Sequence, residues 1–211
     1  MLEIVTLTLG PLATNTYLTA DSDTGEAAVI DPAWDGQLIA AEAKRRHWKI
    51  SQIWITHAHF DHIGGAGDLA RILETPPTIF LHPDDRLLWD NQGGAGLFGF
   101  SQPASPAPTL NLADKMELGL GYIPFQVLHT PGHTPGHCVF YCAQAMVCFC
   151  GDLIFQNSVG RTDLPGGNWD VLLKSIRSQI YSLPGETRLL SGHGPETTLR
   201  QEKSANPFVH S

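Results

Sequence analysis

Between Ile55 and Gly65 the chain reads ITHAHFDHIGG, which puts His57, His59, Asp61 and His62 within six consecutive positions. Imidazole and carboxylate side chains are the donors of hydrolytic zinc, iron and manganese sites. On an extended strand His57 and His59 would share one face. The chain must then turn at Phe60 for Asp61 and His62 to re-enter the same pocket, and Gly64 and Gly65 supply conformational freedom just beyond. A catalytic ion ordinarily takes three protein ligands and keeps one open position, so four donors exceed what one ion needs. Three further candidates share a setting at strand ends beside glycine: His133 within HTPGHTPGH, Asp152 after Gly151, and His193 between Gly192 and Gly194. Seven donors suit two ions with three ligands each and one shared carboxylate. Asp152, the aspartate outside the cluster, is the natural bridge. Such a pair of ions sits about 3.5–4 Å apart and activates water between them.

A solitary histidine is ordinarily a surface or satisfied core residue, and His47, His82 and His210 are read that way. His129 and His137 flank His133 and rank below it, as supporting or structural residues. The four cysteines, Cys138, Cys142, Cys148 and Cys150, lie within thirteen residues of one another in apolar, strand-like sequence. A disulfide scaffold would spread them to staple distant loops. They read instead as small buried hydrophobes in a reduced compartment, each pair sharing one strand face.

The elements that must position these donors follow from hydrophobic period. Strand patterns run over 2–9, 15–20, 27–31, 50–56, 78–81, 116–118, 123–128, 137–141, 146–150 and 187–190. Helical spacing appears over 35–47, with Leu38, Ile39 and Ala43 on one face and Asp35 as cap, and over 68–73. Further helices are expected over 83–90, over 169–182 along Val171, Leu172, Ile176 and Ile180, and in a short C-terminal stretch. Residues 91–109 are a long Gly- and Pro-punctuated loop carrying Phe98 and Phe100, and 153–168 are a second loop. The order divides into two βαβ-containing halves without an internal linker. An α/β class follows, with two sheets and helices packed outside them, in one domain over residues 1–211.

Composition sets the outer bounds. The 211 residues are 42% hydrophobic and 16% charged, enough for a sizeable core. A net charge of −8 argues against a nucleic-acid partner, which needs clustered Lys and Arg. No apolar run approaches the roughly 20 residues of a membrane span, and Met1–Gly10 lacks the basic start of a signal peptide. The expectation is a cytoplasmic protein with a small-molecule substrate, no nucleic-acid or membrane partner, working as a monomer or small homo-oligomer.

THAHFDH resembles the His-x-His-x-Asp-His signature of the metallo-β-lactamase superfamily. The later Pro-Gly-His at His133, Gly-Asp at Asp152 and Gly-His-Gly at His193 are similar to its remaining ligand motifs, in order. The resemblance covers essentially the whole chain and implies a four-layer αββα sandwich with the site at one edge of the two sheets. It implies that His57, His59 and His133 hold a first metal, that Asp61, His62 and His193 hold a second, and that Asp152 bridges. Asp31, in VIDP, resembles a position just behind these ligands. True β-lactamases of the group typically lack the bridging aspartate. GDLIFQNSVGRTDLPGG, GHGPETTL and NPFV look instead like the compact hydroxyacylglutathione hydrolase, or glyoxalase II, type. Full-length glyoxalase II carries a helical C-terminal domain that helps bind glutathione, whereas eighteen residues follow His193 here.

That resemblance implies two divalent ions, zinc first with iron or manganese as alternatives, and cleavage of a thioester such as S-D-lactoylglutathione. Metal-bound water has its pKa lowered to about 7, so hydroxide is available to attack the carbonyl. Asp61 and Asp152 would orient it through the metals. Arg161 is the candidate for a substrate carboxylate, the competing reading being a surface pair with Asp163, and Phe98 and Phe100 would wall the pocket. Persulfide dioxygenases, which use one Fe(II), share the histidine run and a Gly-Arg-Thr-Asp segment, here Gly160 to Asp163. A lactonase and a non-catalytic metal-binding relative are the remaining alternatives.

Overall fold

A computed structural model of the chain describes residues 1–101 and 105–209. His210 and residues 102–104 of the expected long loop lie outside the described residues. The chain begins with β1 (Leu2–Leu9), β2 (Thr14–Asp21) and β3 (Glu26–Ile30), an antiparallel run, then α1 (Gly36–Arg45) and β4 (Lys49–Trp54), which pairs parallel to β3. The helices α2 (Phe60–Ile63) and α3 (Ala66–Ile72) lead to β5 (Thr78–Leu81), α4 (Arg86–Asp90) and β6 (Leu110–Asn111). These strands form a six-stranded sheet in the order β1-β2-β3-β4-β5-β6.

The second half supplies β7 (Glu117–Leu120), β8 (Ile123–His129), β9 (Cys138–Cys142) and β10 (Val147–Gly151). A small hairpin, β11 (Ile154–Phe155) with β12 (Ser158–Val159), precedes α5 (Trp169–Ser175), β13 (Arg188–Ser191), β14 (Thr197–Thr198) and α6 (Leu199–Ala205). The second six-stranded sheet has the order β14-β13-β10-β9-β8-β7, with β10 and β13 parallel.

Three apolar clusters define four layers. Trp54, Tyr17 and Ile30 of the first sheet meet Phe125, Phe140 and Phe149 of the second between the sheets. Residues of opposite parity, such as Leu18, Val29 and Ile53, face Ile39 and Ala43 of α1 and Leu69 of α3. On the far side Val139, Tyr141 and Leu189 pack against Leu172, Ile176, Ile180 and Leu199. The period of two explains how one strand serves two cores, and it divides the cysteines as expected. Cys138 and Cys142 join the inter-sheet core, Cys148 and Cys150 the helix-facing one, and all four are buried free thiols. The αββα sandwich is therefore the observed architecture.

Several elements differ from the periodicity. The expected helix over 83–90 is a 3₁₀ turn, Pro83–Asp85, followed by α4, because His82 accepts the Asp84 N–H and starts the chain in the tighter winding. Asp35 caps α1 by accepting the Leu38 N–H, but Leu38 itself is exposed, and Ile39 and Ala43 carry the buried face. The expected helix over 169–182 becomes a π turn at Ile176–Ile180. Leu172, Ile176 and Ile180 recur every fourth residue, longer than the α period of about 3.6, and the wider turn keeps all three on the core. The Gly-rich loop after α4 starts as a 3₁₀ segment, Gln92–Phe98, in which Gly93 adopts φ +64° against the backbone of Phe60. A side chain there would collide with the turn that carries the histidines. No helix among the described residues is long and apolar enough to cross a membrane.

Candidate metal centre

Every donor singled out in the sequence lies just beyond the C-terminal end of a strand. His57 and His59 follow β4, and Asp61 and His62 sit on α2 immediately after. His133 lies in the β8–β9 loop, Asp152 follows β10, and His193 follows β13. The parallel pairings β3–β4 and β10–β13 bring these ends to one edge of the sandwich. The structure brings all seven side chains together there.

They fall into two groups. The ligand atoms of His57, His59 and His133 lie within 4.8 Å of one another, and so do those of Asp61, His62 and His193. His133 Nε2 stands 2.9 Å from His59 Nδ1 and 3.1 Å from His57 Nε2. A tetrahedral ion bound at about 2.0–2.1 Å spaces its ligand nitrogens about 3.3 Å apart, so these contacts match a shared ion closely. Asp152 lies between the groups: Oδ1 is 3.3 Å from His62 Nε2, and Oδ2 is 3.7 Å from His133 Nε2 and 3.6 Å from His193 Nε2. His193 Nε2 approaches Asp61 Oδ2 at 3.1 Å.

Surrounding groups fix which nitrogen of each ring faces inward. Asp31, in the left-handed region at φ +49°, accepts from the Thr56 N–H at 2.7 Å, the Thr56 hydroxyl at 2.6 Å and His62 Nδ1–H at 2.9 Å. With its proton given to Asp31, the Thr56 oxygen accepts from His57 Nδ1–H at 3.1 Å. His133 Nδ1–H donates to the Arg161 carbonyl at 2.7 Å. Each bond occupies Nδ1 of its ring and so turns Nε2 toward the centre. Thr14 donates its hydroxyl to Asp61 Oδ2 at 3.0 Å.

The electrostatics follow from burial and crowding. Burial, then the charge of neighbouring imidazoles, drives the pKa of His57 well down and that of His59 to about 3. Burial also acts against His62, but Asp152, Asp61 and Asp31 outweigh it and raise its pKa well above the usual value. Asp61 is pushed up by burial, yet the charge on His62 and the bond from His193 hold it down to about 2. Asp152 is held far lower still by His62 against the same burial. His62 Nε2 and Asp152 Oδ1 are buried without a hydrogen-bond partner. Orphaned polar atoms of complementary donor type, facing each other across a gap, are what a divalent cation would satisfy.

Other sequence candidates take different places. Phe98 lines the cleft above the centre, whereas Phe100 stacks behind it on Phe60 at 5.1 Å. Arg161 sits on the rim of the cleft with its guanidinium bound to both carboxylate oxygens of Asp163 at 2.7 Å. His137 is buried, shares a contact with the Thr130 hydroxyl and stacks on His57. His82 and His129 stack face to face at 4.0 Å with planes 10° apart. Asp84 lies beside them, but parallel rings cannot aim two lone pairs at one ion.

Two supports were not foreseen. Asp85, fully buried, accepts from the Ala58 N–H at 2.9 Å, the Thr134 hydroxyl at 2.8 Å and the Gly136 N–H at 2.7 Å, tying the His57–His59 segment to the His133 loop. Asn15 donates to the carbonyls of Ser191 and Gly194, bracketing His193. Neither carries a local signal, because both act across long sequence separations.

Fold and centre together define a site of clustered His and Asp metal donors on an αββα sandwich, and the comparisons agree. Residues 9–193 match the metallo-beta-lactamase superfamily, and the chain belongs to it. It is 36% identical to the probable metallo-hydrolase YqgX of Bacillus subtilis, covering 96% of this chain and 95% of that protein. It is 33% identical to the hydroxyacylglutathione hydrolase GloC of Haemophilus influenzae, covering 90% of each. Among solved structures, the BLEG-1 B3 metallo-beta-lactamase superposes with a TM-score of 0.91 at 37% identity over all of both chains. TTHA1623 in a di-iron-bound form does so with 0.88 at 40% identity, over 97% of this chain and all of that one.

Proposed function

We propose that this protein is a dinuclear metal-dependent hydrolase that cleaves small-molecule thioesters, with S-D-lactoylglutathione as the first substrate to test. The observation that carries the reading is Asp152, whose Oδ2 lies between His133 and His193, one from each ligand group, while Oδ1 and His62 Nε2 are buried 3.3 Å apart without a hydrogen bond. The likeness to GloC supports a thioester as the substrate class. His57, His59 and His133 would hold one ion, Asp61, His62 and His193 the other, with Asp152 between. Zinc is the metal proposed first, and the likeness to TTHA1623, a structure in a di-iron-bound form, keeps iron in view.

When bound, the ions supply Lewis acidity, acidifying water and polarising a carbonyl oxygen. The chain's own groups do the rest. Asp31 and the Arg161 carbonyl engage Nδ1 of His62 and His133, so each ring would present Nε2 to an ion. Phe60, Phe98, Phe155 and Leu164 form apolar walls of a cleft of about 380 Å³ that place the ester and limit water. A thiol leaving group has a pKa near 8.5, so it departs as thiolate without a protein acid.

The test is metal analysis of purified protein alongside cleavage of S-D-lactoylglutathione and measurement of oxygen uptake. Two ions per chain, thiol release and loss of turnover in His59→Ala and Asp152→Asn are expected. One iron per chain with oxygen consumption would replace the hydrolase by a dioxygenase, and turnover surviving in both variants would remove the centre from the reaction.

A further inference from the structure

Outside the ligand groups the walls of the cleft are mainly apolar. Leu12, Phe98, Phe155, Val159 and Leu164 line it outside the ligand groups, and Leu12 and Phe98 remain 47% and 44% exposed on its rim. Exposed apolar side chains around a concave site are ordinarily covered by an apolar ligand. Among the described lining residues Arg161 is the one Lys or Arg. Its Nε and one terminal nitrogen are both engaged by Asp163 in a fork-to-fork pair. That geometry satisfies the planar donors that would otherwise read an incoming carboxylate. An anionic arm reaching the rim therefore meets a neutralised arginine and the Asp163 charge beside it.

We propose that Asp163 is a specificity-determining residue: by holding Arg161, it withholds the rim's cation from anionic ligands and, with the apolar rim, favours thioesters whose thiol arm is uncharged and apolar. The inference rests on the thioester reading above. Asp163 touches neither the ligand groups nor the reacting atoms and acts through Arg161.

The test is calorimetric binding of two uncleavable thioethers to the metal-loaded full chain: S-hexylglutathione, whose arm carries two carboxylates and an ammonium, and the uncharged S-hexyl-N-acetylcysteamine. The native chain is expected to bind the uncharged probe more tightly. Both partners of the Arg161–Asp163 pair are more than half exposed. Solvent-screened pairs of this kind are worth at most about a fivefold change in affinity, so Asp163→Asn should shift the ratio about two- to fivefold toward S-hexylglutathione. The double variant Arg161→Gln/Asp163→Asn should return the ratio to its native value, because the native pair presents no net charge. Tighter native binding of S-hexylglutathione, an unmoved ratio in Asp163→Asn, or loss of S-hexylglutathione binding in the double variant relative to the native chain would overturn the proposal. Binding reads this inference and turnover reads the hydrolase assignment, so either can fail alone.

Discussion

Replacing Asp85 should disable the centre without touching a ligand. The carboxylate accepts three hydrogen bonds inside the protein, from the backbone between His57 and His59 and from two positions of the loop that begins at His133. Burial pushes its pKa up and those bonds oppose the rise. In Asp85→Ala all three donors lose their acceptor. Each buried donor left unpaired costs about 1–3 kcal/mol, partly recovered because a buried carboxylate is itself expensive, so a net loss of about 3–5 kcal/mol is expected. That is a large share of the roughly 5–15 kcal/mol by which domains are stable. Asp85→Asn is the sharper probe. Its carbonyl oxygen can still receive the Ala58 N–H and the Thr134 hydroxyl, but its amide then faces the Gly136 N–H, donor against donor. About 1–3 kcal/mol should be lost, with metal affinity of the His57–His59–His133 group falling about 10- to 100-fold. Denaturant unfolding of the metal-free chain gives the first quantity, and competition with a chelator the second. Native stability within about 0.5 kcal/mol together with native affinity in Asp85→Asn would refute the clamp.

Further outcomes follow from the same geometry. The raised pKa of His62 leaves it protonated in the metal-free chain at neutral pH. Binding an ion at its Nε2 must expel that proton, so affinity rises with pH until the raised pKa is passed; titration calorimetry in buffers of different ionisation enthalpy should show proton release, and buffer-independent heats would contradict it. A Cβ on Gly192 would run into the Asp152 carboxylate and the His62 ring. Gly192→Ala should therefore weaken metal uptake by about tenfold or more while the fold's circular dichroism persists; native metal content would count against the placement of these side chains. Asn15→Ala removes both bonds bracketing His193. It should lower the occupancy of the second ion in metal analysis before that of the first, and equal loss of both would contradict the local role.

The parts of the site that the sequence made legible are those with local grammar. The apolar run before His57, the glycines beside Asp152 and His193, and the Pro-Gly steps around His133 each mark a strand ending in a turn, where a rigid sheet can present a donor. Alternation along the strands separated the inter-sheet core from the helix-facing cores and sorted the cysteines correctly. Where the reading failed, the deciding force was nonlocal. Asp85 follows another aspartate in a short Pro-led turn, and nothing local distinguishes the buried one from exposed Asp84. The β11–β12 hairpin spans two residues a side, too short for a period to register.

The contrast between Arg161 and Asp31 shows why charged residues resist this kind of reading. Both stand near the centre, and the sequence points to both only through the family resemblance. Asp31 occupies a left-handed backbone position, which a short polar side chain tolerates, and its side chain is satisfied by three donors that reach it only after β4 and α2 pack beside β3. Its role is fixed by burial, since a carboxylate in that environment must be paired. Arg161 has solvent on one side and Asp163 two residues along, so its side chain is free to take a partner that neighbouring sequence supplies. Backbone and side chain have accordingly parted company at this residue. Its carbonyl fixes the His133 ring at 2.7 Å, while its guanidinium is committed to the rim. Truncating the side chain should therefore leave the centre's geometry in place and alter only what the rim accepts, which separates the residue's two contributions experimentally.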